Sequence, residues 1–162
     1  MPKPLGYTRT QIALHWLVFL LIAAQFVLHD AISEAWEAVE HGTPVAFDPL
    51  VAQHVFTGLL ILLLVIFRIV LKRKHGAPAL PENEPKWMKI AAHGTHYTLY
   101  LLMVLLPVSG AVAWFGGVEA AAEGHEAMKT LLLLLVLLHV GGALYQHFVL
   151  KSNVLARMRK PQ

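Results

Sequence analysis

The sequence predicts an all-α integral membrane protein built as a bundle of four helices. Its 162 residues are 57% hydrophobic and only 14% charged, whereas charged residues make up about a quarter of an average soluble domain. The apolar residues are grouped in long blocks rather than alternating with polar ones. Four of these blocks approach or exceed the roughly 20 residues that a helix needs to cross a bilayer. We expect them to form one transmembrane domain that spans residues 1–162.

The four predicted helices are joined by connections of different character. They span about residues 10–30, 49–72, 88–115 and 124–150. The first apolar core is longer than that of a cleaved signal peptide and contains His15, so we expect it to stay in the membrane. The first connection is long enough for a short surface helix around SEAWEAVEH, and three prolines in KRKHGAPALPENEPKW predict a loop in the second.

The distribution of charge predicts that both termini are cytoplasmic. All 13 Lys and Arg residues except Lys129 lie before the first helix, around the second connection or after the fourth helix, and basic residues mark the cytoplasmic side. All 10 Asp and Glu residues except Glu82 and Glu84 lie around the other two connections, which gives an acidic outer face. We attribute the basic face to this topology and to membrane lipid, not to nucleic acid.

Histidine is the residue type best suited to a metal site in this chain. There is no cysteine, which excludes disulfides, thiolate metal sites, iron–sulfur clusters and covalently attached haem. There are 10 histidines, several of them at membrane depth, where an ionisable side chain is costly and is a functional candidate. Imidazole is therefore the expected ligand for a bound metal.

Two histidines of the fourth predicted helix occupy one face at two depths. The spacing of His125 and His139 gives a rise of about 21 Å and a rotation of about 40° on an α-helix. His15 lies near the cytoplasmic end of the first helix, and His54 lies near the outer end of the second. Because neighbouring helices alternate in direction, we expect His54 to face His125 and His15 to face His139. Two opposed imidazole pairs in a bundle are what two bis-histidine haem b groups require.

His147 is an alternative inner ligand. It lies about 33 Å along the helix from His125 and close to the headgroups, so we favour His139 and expect His147 to have a supporting role. His93 and His96 share a face near the cytoplasmic start of the third helix. They are expected to contact the inner haem propionates, to line a quinone site, or to lie at the interface without function.

Arginine and glycine add candidates around the haem groups. Arg68 lies near the cytoplasmic end of the second helix on nearly the same face as His54, where it would neutralise an inner propionate or simply snorkel to the headgroups. Arg9 is a weaker candidate for the same role. Gly58, one turn after His54, would let a flat macrocycle approach, although small residues are also common in ordinary helix packing. The histidines expected to face water are His29, His41 and His75.

Four stretches taken together resemble the bacterial cytochrome b561 family of four-helix, di-haem b membrane proteins. They are TRTQIALHWLVFLLI, QHVFTGLLILLLVIFRIVLK, AAHGTHYTLYLLMVLLPVSG and HEAMKTLLLLLVLLHVGGALYQHF. The resemblance implies two non-covalent haem b groups, ligated by His15 with His139 and by His54 with His125, and no ligand from the third helix. It also implies electron exchange with ubiquinone or another membrane quinone. Some members resemble superoxide oxidases, which pass an electron from extracytoplasmic superoxide to ubiquinone.

Two features depart from the superoxide-oxidising pattern. The connection between the third and fourth helices, around FGGVEAAAEG, is short, and the outer face is acidic. A negative surface repels an anion such as superoxide, and Lys129 is the basic residue available near the outer haem as a contact for it. A basic extracytoplasmic redox protein, such as a soluble cytochrome, suits this face better.

Together with this resemblance, the histidine pattern favours a haem oxidoreductase of the bacterial inner membrane. In this reading, electrons move between the quinone pool and an extracytoplasmic donor or acceptor through two haem groups. One alternative is a haem-b membrane-anchor subunit that passes electrons for a partner enzyme. A second alternative is a histidine-based metal transporter, which is disfavoured because the predicted helices carry almost no carboxylates.

Overall fold

The protein is helical throughout the part of the chain that the structure describes. This computed structural model describes residues 4–81 and 84–161, and no strand occurs in these ranges. The helices are α1 (Arg9–Val27), α2 (Asp30–Glu40), α3 (Pro49–His75), α4 (Lys86–Gly116), α5 (Glu119–Phe148) and α6 (Val154–Arg157). Of these, α1, α3, α4 and α5 are long and apolar enough to cross a membrane. The predicted all-α class with four membrane-length helices is confirmed, and α2 is the short helix expected in the first connection.

Local sequence signals fix several helix ends. Thr8 and Gln11 form a capping box at the start of α1, in which each side chain accepts a hydrogen bond from the backbone N–H of the other. The Asp48 carboxylate accepts from the Leu50 N–H at 2.6 Å and caps α3. Gly117 ends α4 with φ 65°, a left-handed conformation that glycine adopts without steric cost. Ala-rich sequence lets α5 begin at Glu119, ahead of the expected residue 124.

The buried core is small and follows the helix interfaces. One cluster joins α1 and α3 and consists of Val18, Ile61 and Val65. The other joins α4 and α5 and consists of Leu99, Leu102, Leu106 and Leu132. Many other large apolar side chains of the long helices are exposed in the isolated chain, as expected for surfaces that pack against lipid tails.

The packing order leaves one side of the bundle open. Helix α1 packs on α3, α3 packs on α4, and α4 runs along α5. Helix α5 makes no more than isolated contacts with α1 or α3. A gap therefore separates α5 from these two helices, and the paired histidines lie across it.

Candidate functional site

The imidazole pair expected on the extracytoplasmic side, called the outer pair, consists of His54 and His125 and joins α3 to α5. The ring centres of His54 and His125 lie 6.4 Å apart, with their planes tilted by 59°. Both rings line a cavity of about 420 Å³, within the usual size range of small-molecule sites. Side chains of α1 to α5 contribute to its wall, and Trp36 and Glu40 of α2 lie along one side. The short helix α2 therefore helps to enclose the outer pair.

A hydrogen bond to the backbone of α4 fixes the orientation and tautomer of His125. Its Nδ1 lies 2.9 Å from the Leu106 carbonyl oxygen, and since a carbonyl only accepts, Nδ1 must carry the proton. The lone pair on Nε2 is then free for a metal, an arrangement common among metal-binding histidines. The buried Nδ1 of His54 has no hydrogen-bond partner in the described part of the chain.

Of the two glycines near the outer pair, Gly110 lies against the His125 ring and Gly58 lies against Gln25. A Cβ atom on Gly110 of α4 would lie 3.1 Å from both Cε1 and Nδ1 of His125. A Cβ atom on Gly58 would lie 3.5 Å from Nε2 of Gln25, whose amide donates to the His54 carbonyl oxygen at 2.9 Å. Gly110 thus lets the His125 ring lie directly against the backbone of α4.

The inner imidazole pair joins α1 to α5. The ring centres of His15 and His139 are 6.1 Å apart at an interplanar angle of 63°. His96 of α4 approaches the same place, with its ring centre 5.0 Å from that of His139. Its Nδ1 contacts the Ala92 carbonyl oxygen at 2.6 Å, so the Nδ1 of His96 carries its proton.

Arg68 lies beside the inner pair, as its helical register predicted. Its Nη2 is 3.2 Å from Nδ1 of His15, and its guanidinium is 5.8 Å from the Tyr100 ring centre. Because a guanidinium only donates, Nδ1 of His15 is the acceptor, and the proton of the neutral ring is on Nε2. Metal binding at Nε2 needs the opposite tautomer, so it would release Arg68 from His15.

The geometry of both pairs fits haem. A metal–imidazole bond is about 2 Å long and the ring centre lies roughly 1 Å further, so two imidazoles opposite each other on one metal have centres about 6 Å apart. The observed separations are 6.1 and 6.4 Å. In the described ranges no group of three or more His, Asp or Glu could hold a metal by itself. Each pair therefore suits a metal with its own equatorial donors, such as iron in a porphyrin, and the cavity of about 420 Å³ beside the outer pair offers space for such a group.

The other predicted residues lie further from the pairs. His93 is exposed and stacks on Tyr97 with ring centres 6.4 Å apart. His147 is exposed against Phe148, with ring centres 4.8 Å apart. Arg9 is exposed in the first turn of α1. Thus neither the His93 nor the His147 ring joins either imidazole pair among the described ring contacts.

The prediction that His29 faces water is wrong. Its side chain is only 21% exposed, and its ring centre lies 6.2 Å from that of His54, at the wall of the outer cavity. Lys129, which was expected near the outer pair, lines the same cavity and contacts His29. The length of a connection does not reveal where its first residue points. The sequence feature that could have indicated this position is Ser33, one helical turn after His29. Its hydroxyl oxygen lies 2.9 Å from Nδ1 of the His29 ring.

Four membrane-length helices with facing imidazole pairs between them are the features of a membrane-embedded b-type cytochrome. The chain belongs to the prokaryotic cytochrome b561 family, whose sequence profile matches residues 6–161.

Sequence similarity to known proteins extends over nearly the whole chain. Cytochrome b562 of Cereibacter sphaeroides is 34% identical over 163 residues, covering all of both chains. Cytochrome b561 homolog 1 of Escherichia coli is 24% identical, over 94% of this chain and 96% of its own. A probable superoxide oxidase, CybB, of Yersinia pestis is 28% identical, over 94% of each chain. The protein is accordingly a bacterial membrane protein of electron transfer whose family carries b-type haem.

Proposed function

We propose that the protein carries two haem b groups and moves electrons across the bacterial inner membrane, between the quinone pool and a redox partner on the extracytoplasmic side. The observation that carries this proposal is the presence of two imidazole pairs, each with the ring separation that one iron requires and each with one member on α5. The spacing of His125 and His139 along α5 separates the two sites by about 21 Å. That separation suits two haem groups near opposite sides of a bilayer.

The axial ligands in this proposal are His54 with His125 for the outer haem and His15 with His139 for the inner haem. Bound haem supplies a one-electron iron couple. The chain supplies the orientation of the ligands, since the Leu106 carbonyl fixes the tautomer of His125. Gly58 and apolar side chains of α1, α3 and α4 line the cavity beside this pair.

Arg68 is the proposed partner of an inner-haem propionate. Its contact with Nδ1 of His15 cannot persist when Nε2 of that ring binds a metal, so the guanidinium becomes available for a carboxylate. His96, close to His139, is a candidate for contact with the same haem. The exposed positions of Arg9, His93 and His147 favour interfacial roles for these three residues.

Both termini are proposed to be cytoplasmic. Helix α3 ends in Lys72, Arg73, Lys74 and His75, and the acidic helix α2 lies at the other end of the bundle. Basic residues favour the cytoplasmic side. This orientation puts the His15–His139 pair toward the cytoplasm and the His54–His125 pair toward the extracytoplasmic face.

Haem stoichiometry and spectra test the central proposal. Purified protein should show b-type α-bands in a reduced-minus-oxidised spectrum, and the pyridine haemochrome should give about two haems per chain. Protein purified without haem from haem-replete cells would contradict the proposal and favour the metal-transporter alternative. Quinol, superoxide and a basic cytochrome c, added in turn, should identify which partners exchange electrons with it. Haems that none of them reduces or oxidises would indicate an anchor subunit of a partner enzyme.

Superoxide is a second candidate electron donor. The relative described as a probable superoxide oxidase favours it, as does the presence of Lys129 in the wall of the outer cavity. The acids of α2 oppose it, because a negative surface slows the approach of an anion. If superoxide is the donor, it should reduce ubiquinone rapidly through the wild-type protein, and Lys129→Glu should abolish that rate. A rate equal to that of haem-free membranes would exclude this donor.

The contact between Gly110 and His125 gives a sharper prediction for the outer site. In Gly110→Ala the new Cβ atom would lie 3.1 Å from the His125 ring, so the ring must turn away from its position. A distortion of this kind costs about 1 kcal/mol, which corresponds to roughly fivefold weaker binding of the outer haem. Titration of apo-protein with haem measures the change. Gly124→Ala is the matched control, because a Cβ atom there meets nothing within 4 Å, and its affinity should equal that of wild type.

A further inference from the structure

A cluster of polar side chains lies at the edge of the outer cavity, beside the imidazole pair. Lys129 Nζ is 2.8 Å from His29 Nε2 and 2.5 Å from a carboxylate oxygen of Glu126. The hydroxyl of Ser33 lies 2.9 Å from Nδ1 of His29. All four residues line the cavity that contains His54 and His125. The cluster therefore belongs to the same chamber as the outer site, although it supplies none of the proposed axial ligands.

The chemistry of these groups determines which of them donate and which accept hydrogen bonds. An ammonium group has three donors and no acceptor, so Nε2 of His29 accepts from Lys129 and its Nδ1–H donates to Ser33. The other carboxylate oxygen of Glu126 lies 3.3 Å from the same Nε2. His29 is thus a fixed acceptor that holds the ammonium in place. The side chain of Lys129 is 23% exposed, whereas that of Glu126 is 56% exposed. The cation therefore lies deeper in the site than its carboxylate partner, which is the more exposed member of the ion pair.

The rest of the cavity wall has the opposite charge. Its described charged residues besides Lys129 are Glu37, Glu40, Glu123 and Glu126. Lys129 is therefore the only Lys or Arg among the described residues that line this cavity. A haem b group brings two propionates into the chamber, and burying a carboxylate without a partner is expensive. Lys129 is the fixed cation that can receive one.

We propose that Lys129, held by His29, binds a propionate carboxylate of the outer haem in the position that Glu126 occupies in this structure. The proposal rests on the outer haem of the proposed function and adds its orientation. The propionate edge faces the junction of α1 and α2, toward the extracytoplasmic surface. Glu126 gives up its place to the propionate and turns toward water. His29 acts as a positioning residue, since it contacts Lys129 and does not bind iron.

The test compares haem b with its dimethyl ester, iron protoporphyrin IX with both propionates blocked. Detergent-solubilised apo-protein is loaded with either compound, and release to excess apomyoglobin is followed. The outer phase is the one that His54→Ala removes. A charge-assisted hydrogen bond corresponds to roughly tenfold or more in affinity, so wild type should release the ester at least about tenfold faster than haem b. In Lys129→Met the two compounds should leave at equal rates.

Further variants separate a direct contact from a general loss of structure. Lys129→Arg keeps the charge and should retain the preference for haem b, whereas His29→Leu should reduce it. Glu126→Gln removes the competing carboxylate and should slow the release of haem b. Lys74→Met, an exposed lysine at the far end of α3, is the matched control and should behave as wild type.

The outcomes distinguish a failure of the Lys129 contact from a failure of the outer haem assignment on which it rests. If His54→Ala removes no haem phase, the outer haem assignment itself is wrong. If the outer haem binds but wild type releases haem b and its ester equally, the haem site remains and the Lys129 contact is overturned. A preference for haem b that persists in Lys129→Met also overturns it, because another residue must then hold the propionate.

Discussion

Replacing His139 by alanine is expected to lower the haem content from about two per chain to about one, with the inner haem lost and the outer haem kept. The side chain is one half of the inner pair, 6.1 Å from His15 between ring centres, and alanine offers no ligand to iron. Alanine favours helix, and no hydrogen bond of the His139 side chain occurs in the described part of the chain, so α5 should remain folded. Pyridine haemochrome and reduced-minus-oxidised spectra measure the loss.

His147→Ala is the matched control for this variant. It removes a second histidine from the same helix, but one that is exposed against Phe148, so both haems should remain. The reverse pattern, with haem lost in His147→Ala and kept in His139→Ala, would exchange the roles of the two residues.

A third outcome of the His139→Ala experiment would involve His96. It lies at the same depth, with its ring centre 5.0 Å from that of His139 and its Nδ1 already turned to the Ala92 carbonyl. If His139→Ala keeps two haems, His96 is the residue placed to ligate the inner iron. The double variant His96→Ala/His139→Ala should then lose the inner haem.

The helices and the histidine pairs could be predicted from the sequence, because both follow from simple periodicity. Long apolar blocks specify membrane-length helices, and the position of each histidine along its block gives a depth. Antiparallel neighbours then bring His54 to His125 and His15 to His139, and the structure has these pairs within 6.4 Å. Their role as axial ligands stays a prediction.

The surroundings of the pairs could not be predicted from the sequence, because they depend on how the helices pack. The hydrogen bond from His125 to the Leu106 carbonyl requires α4 and α5 to meet at Gly110, and no sequence period records that register. His29 was expected in water because it lies in a connection. It is in the cavity wall because the turn into α2 directs it inward, where Ser33 and Lys129 hold it.

The second large effect is expected at the outer pair. His54→Ala should remove the outer haem and stop electron flow between quinol in the membrane and an impermeant acceptor on the extracytoplasmic side. The inner haem would still be reduced, but it lies about 21 Å further along α5 and has no relay to the outer surface. Proteoliposomes with quinol in the bilayer and a basic cytochrome c outside measure both steps. The rate of acceptor reduction should fall to that of liposomes without protein.

The control for the outer variant is His41→Ala, which removes an exposed histidine from the connection between α2 and α3 and should leave the rate unchanged. A His54→Ala protein that loses the outer haem yet keeps the wild-type rate would mean that electrons reach the extracytoplasmic acceptor without the outer haem, which would overturn the two-haem path. The same experiment therefore tests whether both haems are needed for electron transfer across the membrane.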